Sequence, residues 1–283
     1  MLFFIGVFIV FGSMLYGYVM SHGQLMALWQ PWEILIIIGG AFGAFLLSNP
    51  WHIIMDSFKA MPQVMFGGKV NKAMYMDVLG LIYDILNKAR REGIMAIEAD
   101  VESPSKSALF SRYPAVQANE PLAHFIADYF RIIAAGNLTS FELEALMDQE
   151  IEARMHELEH PANAVGRVAD ALPGFGIVAA VLGIVITMGA IDGELAEIGA
   201  HVAAALVGTF SGVFLAYGFV GPVSSTMRHL AEDEIKLYEA VKSCIVASLN
   251  GLPPQLAVEF GRKSLFVYDR PTFLEVESKV RGR

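Results

Sequence analysis

The sequence predicts an all-α, polytopic membrane protein with four transmembrane helices and a large helical cytoplasmic loop. Three observations predict it. Segments 2–20, 34–55, 171–191 and 198–227 contain no Asp, Glu, Lys or Arg, and each has about the 20 residues of helix that a hydrocarbon core requires. All 20 Lys and Arg residues lie on one side of these segments: none in the links 21–33 and 192–197, eleven in 56–170 and nine after Met227. Basic residues accumulate in cytoplasmic loops, so both termini and the middle block are expected in the cytoplasm. Two cytoplasmic termini require an even number of spans, which four segments supply. The third observation is helical periodicity in the middle block, with no strand-like alternation longer than a few residues.

The first segment is aromatic and dotted with glycine: Phe3, Phe4, Gly6, Phe8, Phe11, Gly12, Tyr16, Gly17 and Tyr18. It lacks a basic leader and exceeds the apolar run of about 7–15 residues typical of a secretory signal, so it is expected to stay as a span. Trp29, Trp32 and Trp51 flank the second segment, where amphipathic rings settle at lipid headgroups. Pro31 fits the start of that helix.

In the middle block, Met74, Val78, Leu81, Ile82, Ile85 and Leu86 recur at three- and four-residue spacing and form one apolar face. Gly93 is the expected stop. Pro104, Pro114 and Pro121 predict a broken stretch over 103–121. A helix resumes over 122–135 and ends at Gly136-Asn137. Residues 139–159 read as an acidic amphipathic helix, with Phe141, Leu143, Leu146, Met147 and Ile151 as its apolar residues. Pro161 is expected to end it near His160.

Spans 3 and 4 are rich in small residues. Ala204, Gly208, Gly212 and Ala216 recur every four residues, a ridge on which another helix can approach closely, within the chain or from another copy. Spans 3 and 4 are therefore expected to face protein and spans 1 and 2 lipid. The domain organisation follows: 1–55 peripheral spans, 56–170 cytoplasmic helical block, 171–227 inner spans, and 228–283 cytoplasmic segment.

Composition narrows the function. The net charge of −9 argues against nucleic-acid binding. The single cysteine, Cys244, has no intrachain partner and reads as a buried, inert thiol. No phosphate-binding loop, nucleophile elbow or cofactor motif is present. His156-Glu157-Leu158-Glu159-His160 matches the zinc pattern H-E-x-x-H, which keeps a membrane metalloprotease as a remote alternative. No third ligand can be picked out, and the pattern also describes a charged helix end.

Ion pathways usually carry an intramembrane Asp, Glu or His. The spans mainly offer hydroxyls at membrane depth, Thr187, Thr209, Ser211 and Tyr217, while His52 and His201 fall near span ends rather than the centre. If this chain moves an ion, a partner is expected to supply the carboxylate. Pro173 lies at the inner start of span 3 and Pro222 near the inner end of span 4. Each can be a packing feature; together, beside the small-residue ridge, they mark a place where movement could pass into the cytoplasmic block.

Several runs resemble the A subunit of the flagellar motor stator, the MotA family. They are Leu172-Pro173-Gly174-Phe175-Gly176, Ala205-Leu206 with Gly208-Thr209-Phe210, Arg90-Arg91-Glu92-Gly93, and Ala257-Val258-Glu259-Phe260-Gly261-Arg262-Lys263. The resemblance spans nearly the whole chain. It implies a homo-oligomeric ring in the bacterial inner membrane around a B subunit whose helix supplies an ion-binding Asp, with the proton favoured over sodium. It also implies that Arg90 and Glu98 contact a cytoplasmic rotor (switch) protein. By sequence alone those two charges read as solvated surface. Pro173 and Pro222 match the family's mechanistic prolines, and Thr209 and Tyr217 are placed along the ion path. An energising channel subunit for outer-membrane transport is the alternative, because such proteins share the logic of spans 3 and 4.

Overall fold

In the computed structural model, residues 2–136 and 138–281 are described, and no strand occurs among them. Asn137, expected to share a helix stop with Gly136, lies outside the described residues. The helices in chain order are α1 (Leu2–Met20), α2 (Pro31–Ser48), α3 (Trp51–Phe66), α4 (Lys72–Glu92), α5 (Glu98–Glu102) and α6 (Pro114–Gln117). They continue with α7 (Glu120–Ala135), α8 (Ser140–Gly189), α9 (Leu195–Leu215), α10 (Gly221–Leu249), α11 (Pro254–Ser264) and α12 (Phe273–Arg281). The chain divides into two compact units, one of residues 1–67 and 158–229, the other of residues 68–157 and 230–283.

Four helical stretches are long and apolar enough to cross a membrane: Leu2–Met20, Leu25–Ser48, Ser140–Gly189 and Leu195–Leu249. In the first unit α1 buries no residue. Its Phe11 ring meets Phe214 and Phe219 at centroid distances of 5.4 and 4.6 Å. The remaining spans share a core of Ile37, Ala41, Leu172, Ala179 and Ala216. Trp29, Trp32 and Trp51 are all exposed, as anchors at a headgroup boundary would be.

Three boundaries differ from the sequence expectation. The second span was expected to run to Met55, but α2 stops at Ser48. Asn49 is extended, at φ −130° and ψ 138°, as a residue before proline prefers. Its side-chain amide donates to the Phe45 carbonyl at 2.8 Å, which closes the helix end. Pro50 then caps the separate helix α3.

The second difference concerns α8. It runs unbroken for 50 residues with Pro161 and Pro173 inside it, so neither the expected stop near His160 nor a separate start at residue 171 occurs. A proline removes one donor and crowds the carbonyl four residues earlier. At Pro161 that carbonyl belongs to Glu157, and Glu157 and His160 are exposed, where water can satisfy it. The third difference lies in span 4, which is interrupted by a π-helical turn at Ala216–Val220.

The second unit is built around α4. Its expected face, Met74, Val78, Leu81, Ile82, Ile85 and Leu86, is buried throughout, and Gly93 ends the helix at φ +92°. α11 crosses close by: a methyl group at Gly261 would collide with Cys244 and the Ala240 carbonyl. Cys244 is fully buried, and burial pushes its thiol up to about 12, which agrees with the inert reading. The stretch 103–121 is broken as expected, with Pro114 and Pro121 in first helical turns. Gly136 caps α7 in the left-handed conformation at φ +72°. On the acidic part of α8, Leu143, Met147 and Ile151 are buried at four-residue spacing, whereas Phe141 is 79% and Leu146 39% exposed. The apolar face is thus narrower than expected. Thr139 and Glu142 form a capping box at the start of this helix, the hydroxyl donating at 2.7 Å and the backbone N–H at 2.9 Å to the carboxylate.

Candidate functional site

The ridge of small residues determines how closely α8 and α9 approach. A methyl group on Gly212 would stand 2.6 Å from the Leu172 carbonyl oxygen, and one on Gly208 would stand 3.3 Å from Ala179 Cβ. Gly176 answers from α8, where an added methyl would lie 3.1 Å from the Gly208 carbonyl. Gly208, Gly212 and Ala216 are buried and Ala204 is half-buried. The ridge is therefore occupied within the chain, by span 3. Helix pairs at this separation gain from dispersion and weak backbone contacts.

The same seam brings Pro173 beside the ridge, because its neighbour Leu172 presents the carbonyl that Gly212 touches. Pro173 leaves α8 continuous. Pro222 stands in the first turn of α10, immediately after the π turn, in which the Gly221 N–H donates to the Ala216 carbonyl. The carbonyl that Pro222 crowds, four residues earlier, is that of Gly218, which lies inside this π turn. The two prolines thus have different local effects.

The hydroxyls are dispersed. Thr187 is buried and donates to the Gly183 carbonyl at 2.8 Å, within its own helix. Thr209 is half-buried on the seam, with its carbonyl 3.4 Å from where a methyl on Gly176 would sit. Tyr217, in the π turn, is 74% exposed. Large apolar side chains of spans 3 and 4 also lie open, including Ile177, Leu182, Ile186, Leu206 and Val213.

One residue near the seam was missed by the sequence reading, which placed Glu33 in the link before span 2. It lies in the first turn of α2, and a methyl on Gly208 would stand 3.7 Å from its Cγ. Its Oε2 is enclosed and makes no hydrogen bond. The available signal was Pro31: a proline at the helix start places a residue two positions later inside the helix.

Arg90 and Glu98 belong to the second unit. Arg90 lies in the last turn of α4 and Glu98 opens α5, and both side chains are exposed. Between them the chain turns at Gly93. Ile97 and Val101, both fully buried, anchor the corner. Lys88 donates to Asp100 at 2.7 Å and Ser107 to the same carboxylate at 2.6 Å. Partial burial raises the Asp100 carboxyl, but the Lys88 and Ser107 hydrogen bonds outweigh it and hold the group below its ordinary range. Arg90 and Glu98 join none of the ion pairs found among the described residues. The corner holds them outward while their neighbours do the bracing.

His156 and His160 are both exposed on α8, and Glu157 is engaged by Arg154 at 3.3 Å. Among the described residues no group of three His, Cys, Asp or Glu side chains could hold a metal ion. The zinc pattern here describes a charged, solvated helix.

Comparison with known proteins decides the family. Residues 4–93 match the family model "Motility protein A N-terminal", and residues 117–240 match "MotA/TolQ/ExbB proton channel family". Motility protein A of Salmonella typhimurium is 44% identical over 282 residues, covering 100% of this chain and 96% of that protein. The chain belongs to the Motility protein A family. Motility protein A of Escherichia coli K12 shows the same 44% identity and coverage. Chemotaxis protein LafT of Vibrio parahaemolyticus is 40% identical over 97% of this chain and 96% of its own length. The Motility protein A fold is seen again in the C. jejuni MotAB structure, with TM-score 0.77 at 18% identity over 95% of this chain and 98% of that one. The flagellar MotAB stator complex of Bacillus subtilis gives TM-score 0.73 at 23% identity, over 94% and 97%. The all-α, four-span architecture is thus that of a Motility protein A.

Proposed function

We propose that this chain is the A subunit of a flagellar motor stator, which with a B subunit forms a proton channel and converts ion flow into torque. The full-length 44% identity to motility proteins carries the reading. The match of residues 4–93 to the motility-specific N-terminal family favours it over an energiser of outer-membrane transport. In this reading the chain is a multi-pass protein of the bacterial inner membrane, with both termini cytoplasmic. Copies form a ring in the lipid bilayer around the B subunit, whose helix supplies the membrane Asp. The likeness of the fold to chains of MotAB stator complexes supports such an assembly.

Torque then has a physical route. Thr209 and Tyr217 line the path near the seam. Pro173 and Pro222 carry a change at the ion site into the cytoplasmic block of 56–170, with the π turn as the compliant element. Arg90 and Glu98 meet complementary charges on the rotor protein. Exposed ion pairs contribute about 0–1 kcal/mol each, so the contact can form and release repeatedly.

Proton flux tests the channel. In vesicles, the chain alone is expected to leak no protons, and the chain with a B subunit lacking its plug is expected to leak strongly. Strong conduction by the chain alone, or none by the pair, would overturn the reading.

A further inference from the structure

We infer that an apolar groove between α2, α3, α8 and the π turn holds one acyl chain of a membrane phospholipid; the inference rests on the chain spanning a bilayer and is independent of the motor reading. The groove lies wholly within the first unit and has a volume of about 280 Å³. Helical spacing builds its walls. Ile38, Phe42 and Phe45 line it from α2, and Val165, Val168 and Leu172 from α8, each set recurring at three or four residues along one face. On span 4 it touches Leu215, which precedes the π turn, and Val220, which closes it.

The lining decides what can enter. Every side chain that lines the groove is apolar except Ser57, and the Ser57 hydroxyl donates to the Ile53 carbonyl at 2.7 Å within its own helix. A water molecule needs several polar partners to settle in a cavity, and this one offers none. A free fatty acid would carry a carboxylate with it, and no basic side chain lines the groove to hold that charge. The acyl chain of a phospholipid enters without either cost, because its headgroup stays at the membrane surface.

The helix α3 gives the groove its depth. Ile54, Ser57, Met61 and Val64 fall on one face of it at three- and four-residue spacing, with Ile54, Ser57 and Val64 buried. Asp56 and Lys59 fall on the opposite face, exposed and paired at 3.0 Å. A helix with one apolar and one charged face rests in the plane of the membrane boundary, its apolar side toward the acyl chains. Phe58 and Met61 of α3 and Ile38 and Phe42 of α2 lie open at the rim, so the mouth of the groove faces the chains of the adjoining leaflet. A chain seated there touches Leu215 and Val220 together and props the π turn between them. Such a turn lacks the tight ladder of an ordinary helix, and a filled groove holds it in one arrangement.

The test uses the full chain with its B subunit, taken from cells whose phospholipids carry a photoactivatable diazirine in the acyl chain. Irradiation should leave phospholipid adducts on Ala41 and Leu172, which are buried at the floor of the groove, as well as on the exposed Phe8 and Ile9 of α1. Ser57→Leu fills the groove and should cut the floor adducts several-fold while those on α1 persist. Returning phospholipid to the delipidated complex should slow hydrogen exchange over 216–220 several-fold, and much less in S57L. Adducts confined to exposed residues, floor adducts with the mass of a free fatty acid, or exchange over 216–220 that ignores phospholipid would each overturn the inference. Cross-linking of two copies through Phe42→Cys, with no adducts on the floor, would put a second copy in the groove and overturn it as well. Absence of adducts from α1 too would show that the chain does not span a bilayer, and the membrane reading would fall with the inference. Should S57L not accumulate, the adduct map and the exchange of the unsubstituted complex decide the matter.

Discussion

The α8–α9 seam and the α4–α5 corner solve opposite problems. At the seam, Gly212 leaves no room for one methyl group against the Leu172 carbonyl. At the corner, Arg90 and Glu98 stand in solvent while Lys88, Asp100 and Ser107 hold the backbone behind them. The seam's critical residues are defined by the atoms they lack, and the corner's by the partners they lack. The difference teaches that substitutions at the seam act through the fold, whereas those at the corner act through an encounter with another molecule.

The largest effect is therefore expected at the seam. Gly212→Leu overpacks a backbone contact, which costs about 1–3 kcal/mol or more. The two helices must separate, and thermal unfolding in detergent should show a lower Tm together with loss of motility. A Gly212→Leu protein as stable as the parent would mean that the seam is looser than described.

Next comes the contrast between prolines. Pro222→Ala restores a backbone donor and removes the crowding that the π turn absorbs. Hydrogen exchange over 216–220 should slow and swimming should fall, with assembly retained. Pro173→Ala should change local exchange less, because α8 is already continuous there. Equal exchange changes at both sites would dissolve the distinction.

At the corner, Arg90→Glu and Glu98→Lys are expected to reduce swarming while leaving Tm unchanged, since neither side chain is braced within the chain. Paired reversal with rotor charges should recover part of the motion, and the defect should vary with ionic strength. Normal swarming in both single reversals would make them ordinary surface charges.

The smallest effect concerns the brace. The folded Asp100 carboxyl is held below its unfolded value. Its stabilising contribution is therefore complete above the ordinary carboxylate range and is lost as pH falls through the folded value. Hydrogen exchange over residues 94–102, corrected for intrinsic rate, should quicken in acid. Asp100→Asn should show the faster exchange already at neutral pH.

Much of this was legible in the sequence because charge and periodicity act locally. Twenty one-sided basic residues mark the spans, and the buried face of α4 is written in Met74, Val78 and Leu81. What stayed hidden depends on neighbours. Pro161 looks like a stop until exposed side chains show where its spare carbonyl goes. Phe141 counts as apolar, but its angular position carries it off the face shared by Leu143 and Met147. Glu33 was visible as an acid in a link; only the packing of α2 on Gly208 reveals that one of its carboxylate oxygens is enclosed. The ridge was legible as a close approach, but the identity of its partner required the fold.

The most direct test of the stator reading is rotation itself. Cells lacking this chain should build flagella that do not turn when tethered, and re-expression of the chain should restore rotation in discrete upward steps of speed. Tethered cells that keep rotating without it, or that lack flagella altogether, would contradict the account.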